Sequence, residues 1–176
     1  FHCTSRNHVR PDVVHAVFER QAVQTPSRVA IEDRQQTWTY AELNAWSDCI
    51  ARRLRPHVSK AGQIVFVTSE RKSSTVAAIL GILKAGAAYL PCDPKTPVER
   101  MKSLVDLTCP VAAVGLRDYF AKVTRETIAI DIPSFDSLAD EVKQSDERSN
   151  AAVQSSPRDT AYVLCTSGSS GVPKAV

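Results

Sequence analysis

The chain has 176 residues, of which 43% are hydrophobic and 23% charged, and its formal net charge is +3. This length fits one domain better than two and is enough to bury a real core, and the composition is that of an ordinary globular protein. The charge is too small to indicate binding to nucleic acid or to a membrane surface, so we expect neither partner.

The first third of the chain predicts a helix, two short strands and a second helix. Apolar residues between 12 and 24 recur at helical spacing, and Val29–Glu32 and Gln36–Thr39 have the composition of short strands. Thr39 and Glu42 then form a Thr-x-x-Glu capping box that opens the second helix. The residues expected on the buried face of this helix are Leu43, Trp46, Ile50 and Leu54.

The middle of the chain predicts a strand, a buried helix and a second strand. Ile64–Thr68 is a continuous β-branched and aromatic run, which is typical of a strand covered on both faces. We expect Ser73 or Ser74 to cap the following helix and Gly86 to end it, before a strand at 88–90. Helix and strand patterns continue to alternate over residues 98–107, 111–114, 116–123 and 127–130. The predicted fold class is α/β, with a mixed or parallel sheet and flanking helices.

Several classes of protein are disfavoured by the sequence. The most apolar stretch, Val76 to Cys92, is interrupted by Lys84 and is too short to span a bilayer. Residues 1–6 lack the apolar run of a signal peptide. The five cysteines are scattered without a Cys-x-x-Cys pair, which favours reduced thiols in the cytoplasm over a zinc site or a disulfide framework.

The last predicted strand, Thr160–Cys165, leads into a loop rich in serine and glycine, with the sequence Thr-Ser-Gly-Ser-Ser-Gly-Val-Pro-Lys over residues 166–174. Two glycines allow a tight turn in which consecutive backbone N–H groups converge on one anion, while the hydroxyls add donors and Lys174 adds a positive charge. The spacing is not that of the Walker loop. Because many loops of this composition are plain turns or flexible links, the loop alone leaves both interpretations open.

Three segments together resemble known motifs in the correct order. Residues 166–174 resemble the Thr-Ser-Gly-Ser-Thr-Gly-x-Pro-Lys signature of the adenylate-forming (AMP-binding) superfamily, which includes acyl-CoA synthetases, luciferases and peptide-synthetase adenylation domains. Trp38–Leu43 resembles the first core motif of that superfamily, and Leu83–Pro94 resembles the second in its peptide-synthetase form. The sequence departs from the pattern at Ser170, where Thr is usual, at Ala175, where Gly is commonest, and at Cys92, where an aliphatic residue is usual. From about Val14 to Val176 the chain is thus similar to the front part of a nonribosomal peptide synthetase adenylation domain.

The resemblance implies a site for the phosphates of ATP in the serine- and glycine-rich loop. The residues expected to bind the phosphates are Thr166, Ser167, Gly168, Ser169, Ser170, Gly171 and Lys174. No catalytic residue and no metal ligand is expected in this segment, because the catalytic Lys of the family and its ribose- and adenine-binding motifs lie beyond the matched region. The first two motifs are expected to have structural roles, as a helix cap and a core segment.

The reaction implied by the resemblance has two steps. The carboxylate of an amino acid or aryl acid attacks the α-phosphate of ATP, with Mg²⁺ bound, and gives an acyl-adenylate and pyrophosphate. The acyl group then passes to the phosphopantetheine thiol of a carrier domain elsewhere in the same synthetase, where a condensation domain is also expected.

The resemblance also implies a division of the chain. Residues 1–12 are expected to be a leader, and residues 13–176 the N-terminal portion of the large adenylation subdomain, truncated after the phosphate-binding loop. Such a fragment is expected neither to adenylate an acid nor to bind ATP tightly by itself. Two alternatives stay open: a fragment of an acyl-CoA synthetase, which the form of Ala88–Pro94 disfavours, and a non-catalytic truncated product.

Overall fold

The structure is a computed structural model, and it describes most of the chain between Asp12 and Ala175. The residues described are 12–33, 36–70, 72–115, 117–124, 127–134, 153–167 and 173–175. For residues 166, 167 and 173–175 the description covers the backbone. The expected leader, residues 1–12, lies outside the described residues except for Asp12.

Helices and strands alternate along the described chain. The helices are α1 (Val14–Gln24), α2 (Tyr40–Leu54), a short 3-10 helix (Arg55–His57), α3 (Ser73–Lys84), α4 (Val98–Thr108) and α5 (Arg117–Val123). The strands are β1 (Val29–Glu32), β2 (Thr37–Thr39), β3 (Ile64–Thr68), β4 (Ala88–Cys92), β5 (Ala112–Val114), β6 (Ile128–Ile130), β7 (Cys165–Ser167) and β8 (Pro173–Ala175). Within the described ranges, none of the helices has the length and apolar character needed to cross a membrane.

A four-stranded parallel sheet in the order β4-β3-β5-β6 forms the centre of the fold. Alternate residues of its strands lie in two separate cores. Val65 and Val67 face α2 and α3, whereas Phe66 faces α4 and α5. These β3 residues have no exposed surface, because helices cover both faces of the sheet. The α/β class and the strand–helix–strand unit from β3 to β4 are therefore confirmed.

The capping box at the start of α2 is present as predicted. The amide of Glu42 donates to the Thr39 hydroxyl oxygen (3.3 Å), and Glu42 Oε2 accepts from the Thr39 amide and hydroxyl, each at 2.8 Å. These bonds favour the charged carboxylate and hold the pKa of Glu42 below its usual value. The helix buries its predicted face, Leu43, Trp46, Ile50 and Leu54. Glu42 thus stabilises a helix end and is engaged as an acceptor.

We expect Thr39→Ala to lower the free energy of unfolding by about 1 kcal/mol, because it leaves a first-turn amide of α2 without its side-chain acceptor. Urea denaturation followed by circular dichroism measures this change, with Thr37→Ala, an exposed position on the same strand, as the matched control. Equal denaturation midpoints for Thr39→Ala and the wild type would show that the cap contributes nothing.

The predicted N-cap of α3 is wrong. Ser73 is already the first residue of the helix, and Lys72 in the capping position makes no side-chain cap. The Ser73 hydroxyl instead donates to Asp33 Oδ2 (2.7 Å), which also accepts from the Ser73 amide (3.4 Å). A carboxylate from the turn after β1 thus stabilises the positive end of a helix that begins 40 residues later in the sequence.

The predicted end of α3 is confirmed. Gly86 has a φ of +85°, the left-handed conformation that a side chain disfavours. A Cβ at this position would also lie 2.7 Å from the carbonyl oxygen of Val153. Gly86 therefore lets a later segment of the chain return against the end of α3.

The predicted strand Thr160–Cys165 differs in the structure. Only Tyr162 forms a bridge to the sheet, parallel to Tyr89 of β4, and the regular strand β7 begins at Cys165. Val163 is buried among the side chains facing α4, whereas Tyr162 and Leu164 on either side of it are about half exposed. The sequence alternates as a strand should, but the segment makes only a short contact with the side of β4.

Candidate functional site

The segment that leads into the serine- and glycine-rich sequence runs beside β4 towards the carboxyl end of the parallel sheet. The amide of Tyr89 donates to the Ala161 carbonyl (3.1 Å), and the amide of Val163 donates to the Tyr89 carbonyl (3.0 Å). Because this bridge is parallel, the segment 161–163 points in the same direction as β4 and β7 follows beyond it. Ligands of open α/β sheets bind outside the carboxyl ends of the strands, and β7, which leads into the loop, begins at that end of the sheet.

The two ends of the loop are held together by an antiparallel hairpin of β7 and β8. Thr166 is the register partner of Lys174, and Ser167 is the partner of Pro173. The structure thus brings the backbone of three of the seven predicted phosphate-binding residues together: Thr166, Ser167 and Lys174. The other four, Gly168, Ser169, Ser170 and Gly171, lie outside the described residues, so the phosphate cradle itself stays a prediction.

Helix α4 lies beside this hairpin, and the residues before it form a braced turn. The Asp93 carboxylate accepts from the Lys95 amide (2.8 Å), and the Asp93 carbonyl accepts from the Thr96 amide (2.9 Å). The Tyr119 hydroxyl of α5 donates to the Thr96 carbonyl. Helix α4 starts directly after this turn, at Val98, and contacts β8. Asp93 therefore stabilises the turn that precedes α4.

Two cysteines lie near the base of the hairpin on the side facing α4. Cys92 ends β4, and Cys165 begins β7; each lies three residues beyond the bridged pair Tyr89 and Tyr162. Burial, reinforced by the nearby Cys165, raises the pKa of the Cys92 thiol to about 12. Burial also raises the pKa of Cys165, while the positive charge of Arg100 opposes the shift. Both groups are protonated at neutral pH, so they pack as small apolar side chains and are poor nucleophiles.

A cavity of about 110 Å³ lies elsewhere, near the amino end of β4. Its lining includes His15 of α1, Gly86 after α3, and Pro157 and Thr160 of the returning segment. Its volume is below the roughly 300 Å³ at which small-molecule pockets begin, so it is too small for a nucleotide. Burial lowers the pKa of His15, which keeps this half-buried side chain neutral at physiological pH.

The described residues offer no ready ligand set for a metal ion. Across the parts of the chain that the structure covers, no three His, Cys, Asp or Glu side chains cluster closely enough to bind one. Cys49, Cys92, Cys109 and Cys165 are free thiols.

Comparisons with a family model and with individual proteins agree on the family of this chain. Residues 18–176 match the model of the AMP-binding enzyme family. The chain is 35% identical over 179 residues to bacitracin synthase 1 of Bacillus licheniformis, covering 100% of the chain and 3% of that protein. It is also 35% identical over 164 residues to surfactin synthase subunit 2 of Bacillus subtilis (strain 168), covering 93% of the chain and 4% of that protein. The chain therefore spans only a small part of these relatives.

Solved structures show the same fold. VinN in complex with L-aspartate superposes with a TM-score of 0.78 at 26% identity, over 94% of this chain and 47% of the VinN chain. The nonribosomal peptide synthetase FmoA3 (S1046A) in its AMPPNP-bound form also gives 0.78 at 26% identity, over 96% of this chain and 17% of the FmoA3 chain. The sequence match includes the β7–β8 hairpin and both earlier motifs, and the superpositions extend over nearly all of the chain. The chain is similar to parts of nonribosomal peptide synthetases, and it belongs to the AMP-binding enzyme family.

Proposed function

We propose that this chain is the N-terminal portion of an adenylation domain that uses ATP to activate an amino acid as its acyl-adenylate. The observation that carries the proposal is the family match over residues 18–176, which includes a hairpin at the carboxyl end of a parallel sheet. In the division we propose, residues 1–12 are a leader and residues 13–176 belong to the domain; α1 begins close to that boundary, at Val14.

The substrate class we propose is an amino acid, with an aryl acid as the second candidate. The curated relatives are peptide synthetases, and the VinN structures contain L-aspartate or 3-methylaspartate. The AMPPNP-bound form of FmoA3 supports ATP as the second substrate. We propose a carrier-bound phosphopantetheine, rather than free coenzyme A, as the acceptor, in a synthetase that also has a condensation domain; the similarity to peptide synthetases supports this choice. We place this ATP-dependent reaction in the cytoplasm, where ATP is available.

We further propose that the loop of the β7–β8 hairpin binds the β- and γ-phosphates of ATP. The residues assigned to this role are Thr166, Ser167, Gly168, Ser169, Ser170, Gly171 and Lys174. Backbone N–H groups and hydroxyls of the loop would donate to phosphate oxygens, and the Lys174 ammonium would balance their charge. Held in this way, pyrophosphate is oriented as the leaving group when the carboxylate attacks the α-phosphate. Mg²⁺ bound to the triphosphate would supply further charge neutralisation.

The proposal predicts pyrophosphate exchange into ATP that depends on an amino acid, measured with the intact protein that carries this sequence. Lys174→Ala should raise KM for ATP about 10-fold, because it removes one charge-assisted contact to phosphate. Lys60→Ala, an exposed position after α2, removes the same charge and should leave KM unchanged.

Different results would separate the alternatives. Acyl transfer to free coenzyme A in place of a carrier domain would replace the proposal with an acyl-CoA synthetase. An intact protein that shows no exchange with any amino acid or aryl acid would identify a non-catalytic product. We also propose that the 176-residue segment alone is inactive, since it covers only 47% of the VinN chain; exchange by this segment would disprove that part.

A further inference from the structure

The first turn of α4 places a cation beside the β7–β8 hairpin. Arg100 is exposed, and it lies on the helix that contacts β8. Val98, two residues earlier, and Cys165, the first residue of β7, pack against the same core cluster. The Arg100 charge also reaches the Cys165 thiol and lowers its pKa against the effect of burial. Arg100 therefore lies within electrostatic reach of the residue that directly precedes the phosphate-binding loop.

The backbone that carries Arg100 is held from both sides. On one side, Asp93 and Tyr119 brace the turn that leads into α4. On the other side, Met101 is fully buried and Leu104 nearly so, which fixes the helix against the sheet. The Arg100 side chain thus extends from a rigid position.

The guanidinium of Arg100 is not engaged by the neighbouring acid. Glu99 is paired with Lys102, with 3.0 Å between Nζ and Oε1. Within the described portion of the chain, Arg100 has neither a hydrogen bond nor an ion pair. An exposed arginine without a partner is by itself an ordinary surface residue. Arg100, however, lies at the carboxyl end of the sheet, beside the hairpin whose loop is assigned to phosphate, and this position favours a role in binding an anion.

We propose that Arg100 binds the polyphosphate of ATP from the α4 side of the hairpin, as a second cation in addition to Lys174. This inference rests on the proposed function and adds to it a residue outside the serine- and glycine-rich loop. A guanidinium matches two phosphate oxygens with parallel N–H donors, which an ammonium cannot do. Arg100 would therefore orient the polyphosphate as well as attract it.

Isothermal titration calorimetry of the intact protein tests the proposal, with ATP and inorganic tripolyphosphate as separate ligands. Arg100→Ala should weaken the binding of both about 10-fold, because both contain the polyphosphate group, and Arg100→Lys should recover part of the loss. Lys122→Ala removes one exposed positive charge from the adjacent helix α5 and should leave both affinities unchanged. The KM for the amino acid and the melting temperature should stay at the wild-type values in all three variants.

The outcomes distinguish this inference from the proposed function. If the wild type exchanges pyrophosphate but Arg100→Ala binds both ligands normally, the role of Arg100 is disproved and the proposed function stands. A lower melting temperature with parallel losses for amino acid and tripolyphosphate would show a structural role and would also overturn the inference. A wild type that binds neither ligand and shows no exchange overturns both.

Discussion

Replacing Gly81 of α3 by alanine should destabilise the fold by about 2 kcal/mol, although alanine is the better helix former. A Cβ at this position would lie 2.8 Å from both Cβ and Cγ2 of Ile50 and 2.9 Å from the Ser47 carbonyl oxygen. Ile50 and Ser47 have no exposed surface, so neither has room to move aside. The two helices must separate to admit the methyl group, and the cost of this overpacking exceeds the gain of about 1 kcal/mol in helix propensity.

Helix propensity and overpacking predict opposite signs for the change in stability, so a measurement of Gly81→Ala decides between them. Urea denaturation should show a lower midpoint for Gly81→Ala, and Val76→Ala, a partly exposed position on the same helix, should stay within about 0.5 kcal/mol of the wild type. A Gly81→Ala variant more stable than the wild type would mean that helix propensity dominates and that α2 and α3 are not this close.

The parts of the fold that could be predicted from sequence are those specified by neighbouring residues. The β-branched run Ile64–Thr68 and the apolar helix after it required only a local pattern, and the structure contains both in a parallel unit. Thr39 and Glu42 are three residues apart, so their capping box is a local feature of the sequence. Gly86 could be assigned for the same reason, because it directly follows a helical pattern.

The parts that could not be predicted depend on partners distant in sequence. Ser73 is a good capping residue by type, but Asp33 provides the carboxylate at this helix end. The alternating pattern of Thr160–Cys165 predicts a full strand, yet only Tyr162 pairs with β4. The intrinsic propensity of a segment limits which secondary structures it can form, and the contacts with neighbouring segments determine which of them it adopts.

The candidate site shows the same division. The glycines and hydroxyls of the loop were visible as a motif, and the antiparallel pairing of Thr166 with Lys174 explains how its two ends are held together. Arg100 carries no such signal, because a charged residue in the first turn of a helix is ordinarily a solvated position. Its place beside the β7–β8 hairpin became visible only from the contact of α4 with β8.

Lys84 is the residue whose role was least visible in the sequence. It interrupts an apolar stretch, yet only 2% of its side chain is exposed. Its ammonium donates to Asp48 Oδ1 (2.7 Å) and Asn44 Oδ1 (2.8 Å) on α2, and it lies 3.7 Å from Glu19 Oε1 on α1. It also lies 5.7 Å from the centre of the Phe18 ring of α1. One buried cation therefore joins three helices, which explains a charge in an otherwise apolar helix.

We expect Lys84→Ala to lower the free energy of unfolding by about 3 kcal/mol, through the loss of charge-assisted hydrogen bonds and the cavity left by the side chain. Lys84→Met loses the charged hydrogen bonds but keeps most of the apolar stem, and it should lower the free energy of unfolding by about 2 kcal/mol. The loss is smaller than for alanine because the stem still fills its space and because Asp48, with 45% of its side chain exposed, regains contact with water. Lys72→Met, where 62% of the lysine side chain is exposed and paired with Glu70, should change stability by less than about 0.5 kcal/mol. Urea denaturation of the three variants compares these values directly. If Lys84→Met is as stable as Lys72→Met, the ion pairs of Lys84 contribute nothing beyond packing; if it is markedly less stable, the charge itself holds α1, α2 and α3 together.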